Sequence, residues 1–449
     1  MKTIAVGPLL DEGKWTAYQK LLILGTALTI ILDGVDNQLI GPTIPALKAA
    51  WNLGDDAFTW VAFAGPFGMM FGGLFGGLFG DRVGRRTALL TSVMSFAVVT
   101  LAVSFATGPT ILVVLRFLAG LGLGGAMPNA AVLASEYVPR SRRTLAVTMT
   151  IVCVPLGGTL ASFVSGLVIE KYGCQAPWRI GGILPIILGF ILFKVLPESP
   201  KFLARHRDRW PELRNVLARM GHKVPADAEF IAEEAPKAAA AHKGSYVEIF
   251  APRRLRDTIG LWFGFFFCLM GNYIAIQWLP TMLTAPDIGF TRPVAIQMLT
   301  AFNLGGVGGA LLAAVAIQRF GSRLLMLTLS ALSIVGAVIL AGMKPDPAAS
   351  LGLFLMIVYT GTLMNAVQTT MYALAAQVYP TEIRGSGVGT AVAIGRIGHA
   401  LTGPLGPPLM RGGTSIYFGS LGVTMAVVFM AMAVVKRHIE RNKPITAGH

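Results

Sequence analysis

Charge is what this chain has least of. Asp, Glu, Lys and Arg make up 13% of its 449 residues, where a soluble domain carries about 25%, so a water-facing globule is excluded. Acids are the scarcer sign, 22 against 37 Lys and Arg. Cysteine is nearly missing. Cys153, Cys174 and Cys268 share no metal-ligand spacing and two fall in apolar runs, so they read as small core residues, not as a disulfide framework or metal site. No hydrolytic or redox constellation and no phosphate loop for ATP are present, so neither an enzyme nor a cofactor is expected. The glycines between Gly120 and Gly125 follow no strand and lie in an apolar run, which removes a dinucleotide loop. The polar start, Met1 to Trp15, precedes an apolar segment too long for a cleavable signal peptide.

What is abundant is apolar length. Hydrophobic residues make up 54% of the chain, and runs near 20 residues recur along it. That length crosses a bilayer as a helix, so the expected fold is an all-α polytopic membrane protein. Twelve spans can be drawn, at about 18–46, 57–80, 87–106, 109–136, 144–170, 178–196, 257–284, 292–318, 323–342, 350–379, 383–409 and 414–435. A polar stretch with 12 Lys or Arg separates the sixth from the seventh. The expected organisation is an N-terminal six-helix half over 1–196, a cytoplasmic linker over 197–256, and a C-terminal six-helix half with a cytoplasmic tail over 257–449. Of the 37 Lys and Arg, 29 fall on one side of the spans, 6 on the other and 2 inside. This asymmetry puts both termini in the cytoplasm and accounts for the net charge of +15 without nucleic acid.

The few charges inside the spans are the candidate site. Asp33 and Asp36 are the only acids placed deep in a span, one helical turn apart in the first, on a face shared with Asn37 and Ile40. An acid at mid-bilayer costs about 2.5–3.5 kcal/mol by insertion scales, so it needs a partner, water or a proton. Burial and a like charge favour its neutral form and a guanidinium its charged form, so a balanced pair can load and release protons. Helix packing by a salt-bridged pair is the plainer alternative. The two deep arginines are Arg116 in span 4 and Arg396 in span 11, one from each half, with His399 a turn from Arg396. A guanidinium binds a carboxylate through two parallel hydrogen bonds, so both are candidate anchors for an anionic substrate. For Arg116 the alternative is a structural pair with Asp33 or Asp36. His399 is a candidate relay, or else a packed neutral imidazole. Polar stripes add Asn365, Gln368 and Tyr372 in span 10 and Tyr273 and Gln277 in span 7, and such stripes face cavities more often than lipid.

The halves repeat. Asp81-Arg82-Val83-Gly84-Arg85-Arg86 after span 2 matches Gln318-Arg319-Phe320-Gly321-Ser322-Arg323 after span 8 at an offset of 237, and Ala134-Ser135-Glu136-Tyr137-Val138-Pro139 matches Ala375-Ala376-Gln377-Val378-Tyr379-Pro380 at 241, an offset that Arg143 and Arg384 keep. Duplicated halves around a midplane site are a transporter architecture. The stretch from Gly77 to Arg86 matches throughout the loop signature G-x-x-x-D-R-x-G-R-[RK] of the major facilitator superfamily, which the chain resembles over its whole length. Leu32-Asp33-Gly34-Val35-Asp36, the run from Arg116 to Asn129, and Leu196-Pro197-Glu198-Ser199-Pro200 further resemble the aromatic acid:proton symporter family. Two departures are Gln318, where an acid is usual in the second-half signature, and Val154-Pro155-Leu156-Gly157-Gly158, which lacks the Gly-Pro-centred antiporter pattern and so favours symport.

The resemblance implies a monomeric, proton-coupled importer of a small aromatic carboxylate of the benzoate or hydroxybenzoate type, in a bacterial inner membrane. Asp33 and Asp36 would couple protons. Gly77, Asp81, Arg82, Gly84, Arg85, Arg86, Glu136, Arg143, Glu382 and Arg384 would gate, with Arg82, Arg85 and Arg86 pairing with Glu136 or Glu382 across the seam between halves. A proton symporter of a non-aromatic acid and a transporter-like sensor are the alternatives. The two buried arginines argue against an exporter of organic cations.

Overall fold

The structure, a computed structural model, describes residues 3–13, 15–222, 224–225, 228–231, 248–379 and 383–439, without the side chains of 140, 143–145, 147–151 and 384–385. Glu382 therefore lies outside the described residues, and of Arg143 and Arg384 only the helical backbone is described. The first half is built from α2 (Ala17–Gln38), α3 (Ile40–Trp51), α4 (Thr59–Val83), α5 (Arg85–Val103), α6 (Pro109–Tyr137), α7 (Arg143–Tyr172) and α8 (Ala176–Val195), preceded by a short α1 (Val6–Asp11). The second half is built from α11 (Pro252–Leu283), α12 (Arg292–Phe320), α13 (Ser322–Gly342), α14 (Leu351–Val378), α15 (Arg384–Arg411) and α16 (Gly413–Val434). Between them lie α9 (Pro200–Ala204) and α10 (Trp210–Arg219).

Among the described residues eleven stretches are long and apolar enough to cross a membrane, α2 and α3 together making the first. The twelfth, α15, is 28 residues long but too polar on composition, because it carries Arg396, His399 and a run of Gly and Pro. It is sheltered instead between α4 and α11. The sequence repeat is also a packing repeat. In the first half α2 packs on α7, α4 on α6 and α5 on α8, and in the second half α11 packs on α15, α12 on α14 and α13 on α16. Small residues allow the closest of these approaches. A Cβ at Gly76 would stand 2.5 Å from the Gly125 Cα, so α4 and α6 meet backbone to backbone.

The halves touch through α4 with α15, α7 with α12, and α3 with α11. Arg411 bonds Asp56 at 2.9 Å and Arg292 faces Glu170 at 3.6 Å, both at the face remote from the termini. Among the described residues the ion pairs on the terminus-bearing face stay within one half, as with Asp81 and Arg85 or Arg254 and Glu248. The molecule is thus closed on the remote face. Beneath the first half, β1 (Thr3–Ala5) pairs in parallel with β2 (Glu229–Ile231), and Leu10, Leu203, Leu213, Leu217 and Phe230 continue the helical core into a small cap.

Candidate functional site

The site is made by a broken helix. Pro42 has no N–H to offer the Gln38 carbonyl and its ring crowds that position, so the first span stops at Gln38 and restarts at Ile40. Asp33, Asp36, Asn37 and Gln38 therefore sit in the last turns before a mid-membrane break.

The two acids diverge from there. Three residues along a helix turn a side chain by about 60°, enough to give each carboxylate a different neighbour. Asp36 points into its own half, where the Thr100 hydroxyl donates to it and Arg116 Nη1 lies 3.2 Å from Oδ2. The same nitrogen reaches the Asp36 carbonyl at 3.4 Å, a backbone oxygen that also accepts from the Leu39 N–H at 3.3 Å. The Arg116 guanidinium also lies over Trp178, 5.3 Å from the ring centre, and against Gly65, where a Cβ would approach Nη2 to 3.1 Å. Asp36 and Arg116 are 0% and 2% exposed, a closed ion pair that leaves only the Arg116 Nε–H without a partner.

Asp33 faces the other way, into a cavity between the halves. The lining comes from Asp33, Asn37 and Gln38 on α2, Met127 on α6, Val154 and Pro155 on α7, Leu269, Tyr273 and Ile276 on α11, Asn365, Gln368, Thr369 and Tyr372 on α14, and Arg396 on α15. Arg396 is the cation facing Asp33, and it lies against the Tyr273 hydroxyl. Asp33 Oδ1 is buried without a hydrogen-bond partner. The cavity is small, about 30 Å³, room for about one or two waters. The walls are drawn close, and a ring needs them to part.

Of the sequence candidates for substrate contact, Arg396, Asn365, Gln368, Tyr372 and Tyr273 share this cavity, while Arg116, His399 and Gln277 do not line it. Arg116 is engaged by Asp36. His399 stacks behind Tyr273 with ring centres 3.4 Å apart, and its Nε2 lies 3.1 Å from Gln277 Nε2. The Thr402 hydroxyl lies 2.5 Å from Gln277 Oε1 and 2.6 Å from the His399 carbonyl. Asn37 Nδ2 donates to the Tyr273 hydroxyl at 2.7 Å, a bond that joins the halves.

The candidate gate residues form a different set of contacts from the expected one. Arg85 pairs with Asp81 and reaches Asn129 Oδ1 at 3.2 Å, all within the first half. The Arg86 guanidinium sits over Phe193, 5.1 Å from its centre, while its backbone N–H donates to Glu198 at 2.9 Å. Arg82 is exposed and in no ion pair among the described residues, and Glu136 accepts from Ser199 at 2.5 Å. The expected pairing of these arginines with Glu136 is not formed, because Glu136 belongs to the same half and turns to Ser199. Gly84, at φ 103°, ends α4 where a Cβ would meet the Glu198 carboxylate, and Gly77 has open space around its Cα. Glu198 itself, fully buried, caps the start of α5 and donates nothing. Its signal lay in the Leu196-Pro197-Glu198-Ser199-Pro200 run. Gln38 and Thr100 were missed outright, since an isolated amide or hydroxyl in an apolar span carries no periodic mark.

A sequence profile of the Major Facilitator Superfamily matches residues 26–291 and 261–448. The gallate transporter of Pseudomonas putida is 32% identical over 442 residues, covering 96% of this chain and 92% of its own. The 4-hydroxybenzoate transporter PcaK of Acinetobacter baylyi is 31% identical, covering 95% and 92%. Among solved structures, a partially occluded inward open conformation of the xylose transporter XylE from Escherichia coli superposes with a TM-score of 0.75 at 16% identity, over 94% of this chain and 99% of that one.

Proposed function

This chain belongs to the Major Facilitator Superfamily, and from that premise we propose that it is a proton-coupled symporter, importing a small aromatic carboxylate of the benzoate or hydroxybenzoate type by alternating access. One observation carries the reading: Asp33 from one half and Arg396 from the other share a cavity that, among the described residues, no other charged side chain lines. With both ionised the site is neutral. A substrate carboxylate that takes the Arg396 fork leaves the site one negative charge in excess, deep in a low dielectric. A proton on Asp33 restores neutrality. Substrate and proton then enter together and leave together, and neither half binds both alone.

Asp36 has no such freedom, because Arg116 and Thr100 already hold it. In this reading Asp36 fixes the broken end of α2 and Asp33 carries the proton. The cavity's other residues suit an aromatic ring. Met127, Val154, Pro155, Leu269 and Ile276 offer apolar surface, and Tyr273 and Tyr372 offer ring faces and edges beside Arg396. The names of the gallate and 4-hydroxybenzoate relatives support the same substrate class. Ion pairs that join the halves on the remote face, and stay within one half among the described residues on the other, support alternating access.

The test uses proteoliposomes and labelled 4-hydroxybenzoate. With an acid exterior the wild type should accumulate label above its external concentration, and a protonophore should collapse the gradient. Asp33→Asn should exchange label between equal pools while failing to accumulate it. Accumulation by Asp33→Asn at the wild-type level would remove Asp33 as the proton carrier.

A further inference from the structure

The cavity is lopsided in hydrogen-bonding character. On the Arg396 side it offers a cation. On the α2 side it offers acceptors that the protein leaves unused: Asn37 Oδ1 and Gln38 Oε1 are buried without a partner, on residues 3% and 2% exposed. Both residues line the cavity. The Asn37 amide is held by a hydrogen bond and the Gln38 amide by packing. Asn37 commits its Nδ2 to the Tyr273 hydroxyl at 2.7 Å. Gln38 lies flat on α7 at Gly158, where any Cβ would overlap its amide. A buried acceptor without a donor costs about as much as a lost hydrogen bond, and water meets that need only until a ligand displaces it.

We infer that Asn37 and Gln38 form a hydroxyl-reading subsite, opposite the carboxylate anchor, that selects aromatic acids bearing a ring O–H donor over those bearing none. This deepens the aromatic-carboxylate reading and rests on it. A phenolic hydroxyl donates to a waiting carbonyl oxygen. An unsubstituted ring buries that oxygen dry, and a methoxy group brings a second acceptor against it. Sites built around a substrate hydroxyl reject the analogue lacking it far more strongly than apolar pockets discriminate by size. Gly158 belongs to the subsite although it touches no ligand, because it makes room for the Gln38 amide.

The experiment is a set of equilibrium titrations on the purified full chain with benzoate, 3-hydroxybenzoate, 4-hydroxybenzoate, 3,4-dihydroxybenzoate and 4-methoxybenzoate. In the wild type at least one hydroxylated acid should bind about tenfold or more tightly than benzoate, and 4-methoxybenzoate no better than benzoate. Gln38→Met keeps length and removes the oxygen, Asn37→Leu does the same one position earlier, and Gly158→Ala dislodges the Gln38 amide. Each should drive the ratio of hydroxylated acid to benzoate toward one. The inference is overturned if the wild type binds benzoate or 4-methoxybenzoate as tightly as every hydroxylated acid, or if all three variants keep the wild-type ratio. The wild-type series decides by itself if a variant does not fold. Failure of every member of the series to bind is a separate result, which overturns the aromatic-carboxylate reading and the subsite with it.

Discussion

A guanidinium in a membrane span is costly unless something shares its charge, and the two in this chain meet that need in different ways. Arg116 is spoken for: the Asp36 carboxylate and carbonyl, the Trp178 face and the hollow at Gly65 surround it. Arg396 shares a cavity with Asp33 and two tyrosines, against the Tyr273 hydroxyl. Arg396→Ala should therefore abolish binding of 4-hydroxybenzoate while leaving binding of its neutral amide, where measurable, nearly unchanged. Arg396→Lys keeps the charge and loses the planar fork, and should weaken the acid by about tenfold. Paired titrations of acid and amide check both. Unaltered acid affinity in Arg396→Ala would move the anchor elsewhere. At this scale the sequence was informative where a residue type is rare: two deep acids, two deep arginines and one deep histidine stand out in apolar spans. It was silent on direction. Spacing put Asp33 and Asp36 on one face, whereas the 60° between them was enough to send one to Arg116 and the other to the cavity.

At the scale of helices, the apolar runs were legible because membrane thickness fixes their length, and the observed helices follow the expected spans within a few residues at most ends. The break after Gln38 was not anticipated, although Pro42 and Pro45 mark it. Nor was the β1–β2 pairing, a contact of three residues each across more than two hundred positions, which leaves no local pattern. The restarted helix α3 has a role of its own. A Cβ at Gly41 would collide with the Ile276 carbonyl of α11, and the Gln277 Cα stands only 3.4 Å away. Two backbones from opposite halves thus meet at Gly41 when the remote face is closed. Gly41→Val should hold that face apart. Cysteines placed along the cavity should then react faster with an impermeant maleimide from the remote side, and transport should slow severalfold or more. Unchanged labelling from that side, with normal transport, would show that this contact does not govern closure.

For the whole molecule, the packing repeat explains how a single cavity comes to be lined by both halves. Each half presents both helices of its first-and-fifth pair and one of its second-and-fourth pair, so the pseudo-twofold axis that relates the halves passes through the cavity. Charge balance across that axis is the core of the account. Binding of an anion at Arg396 should draw one proton onto Asp33, so affinity should fall by up to about tenfold for each unit of pH rise once Asp33 is ionised in the free protein. The most direct measurement is proton uptake on binding. Purified protein in weakly buffered detergent at alkaline pH is mixed with 4-hydroxybenzoate, and the pH change is read against the amount bound. The wild type should take up about one proton per substrate bound, and Asp33→Asn should bind with none. Binding without proton uptake in the wild type, or the same uptake in Asp33→Asn, would contradict the account.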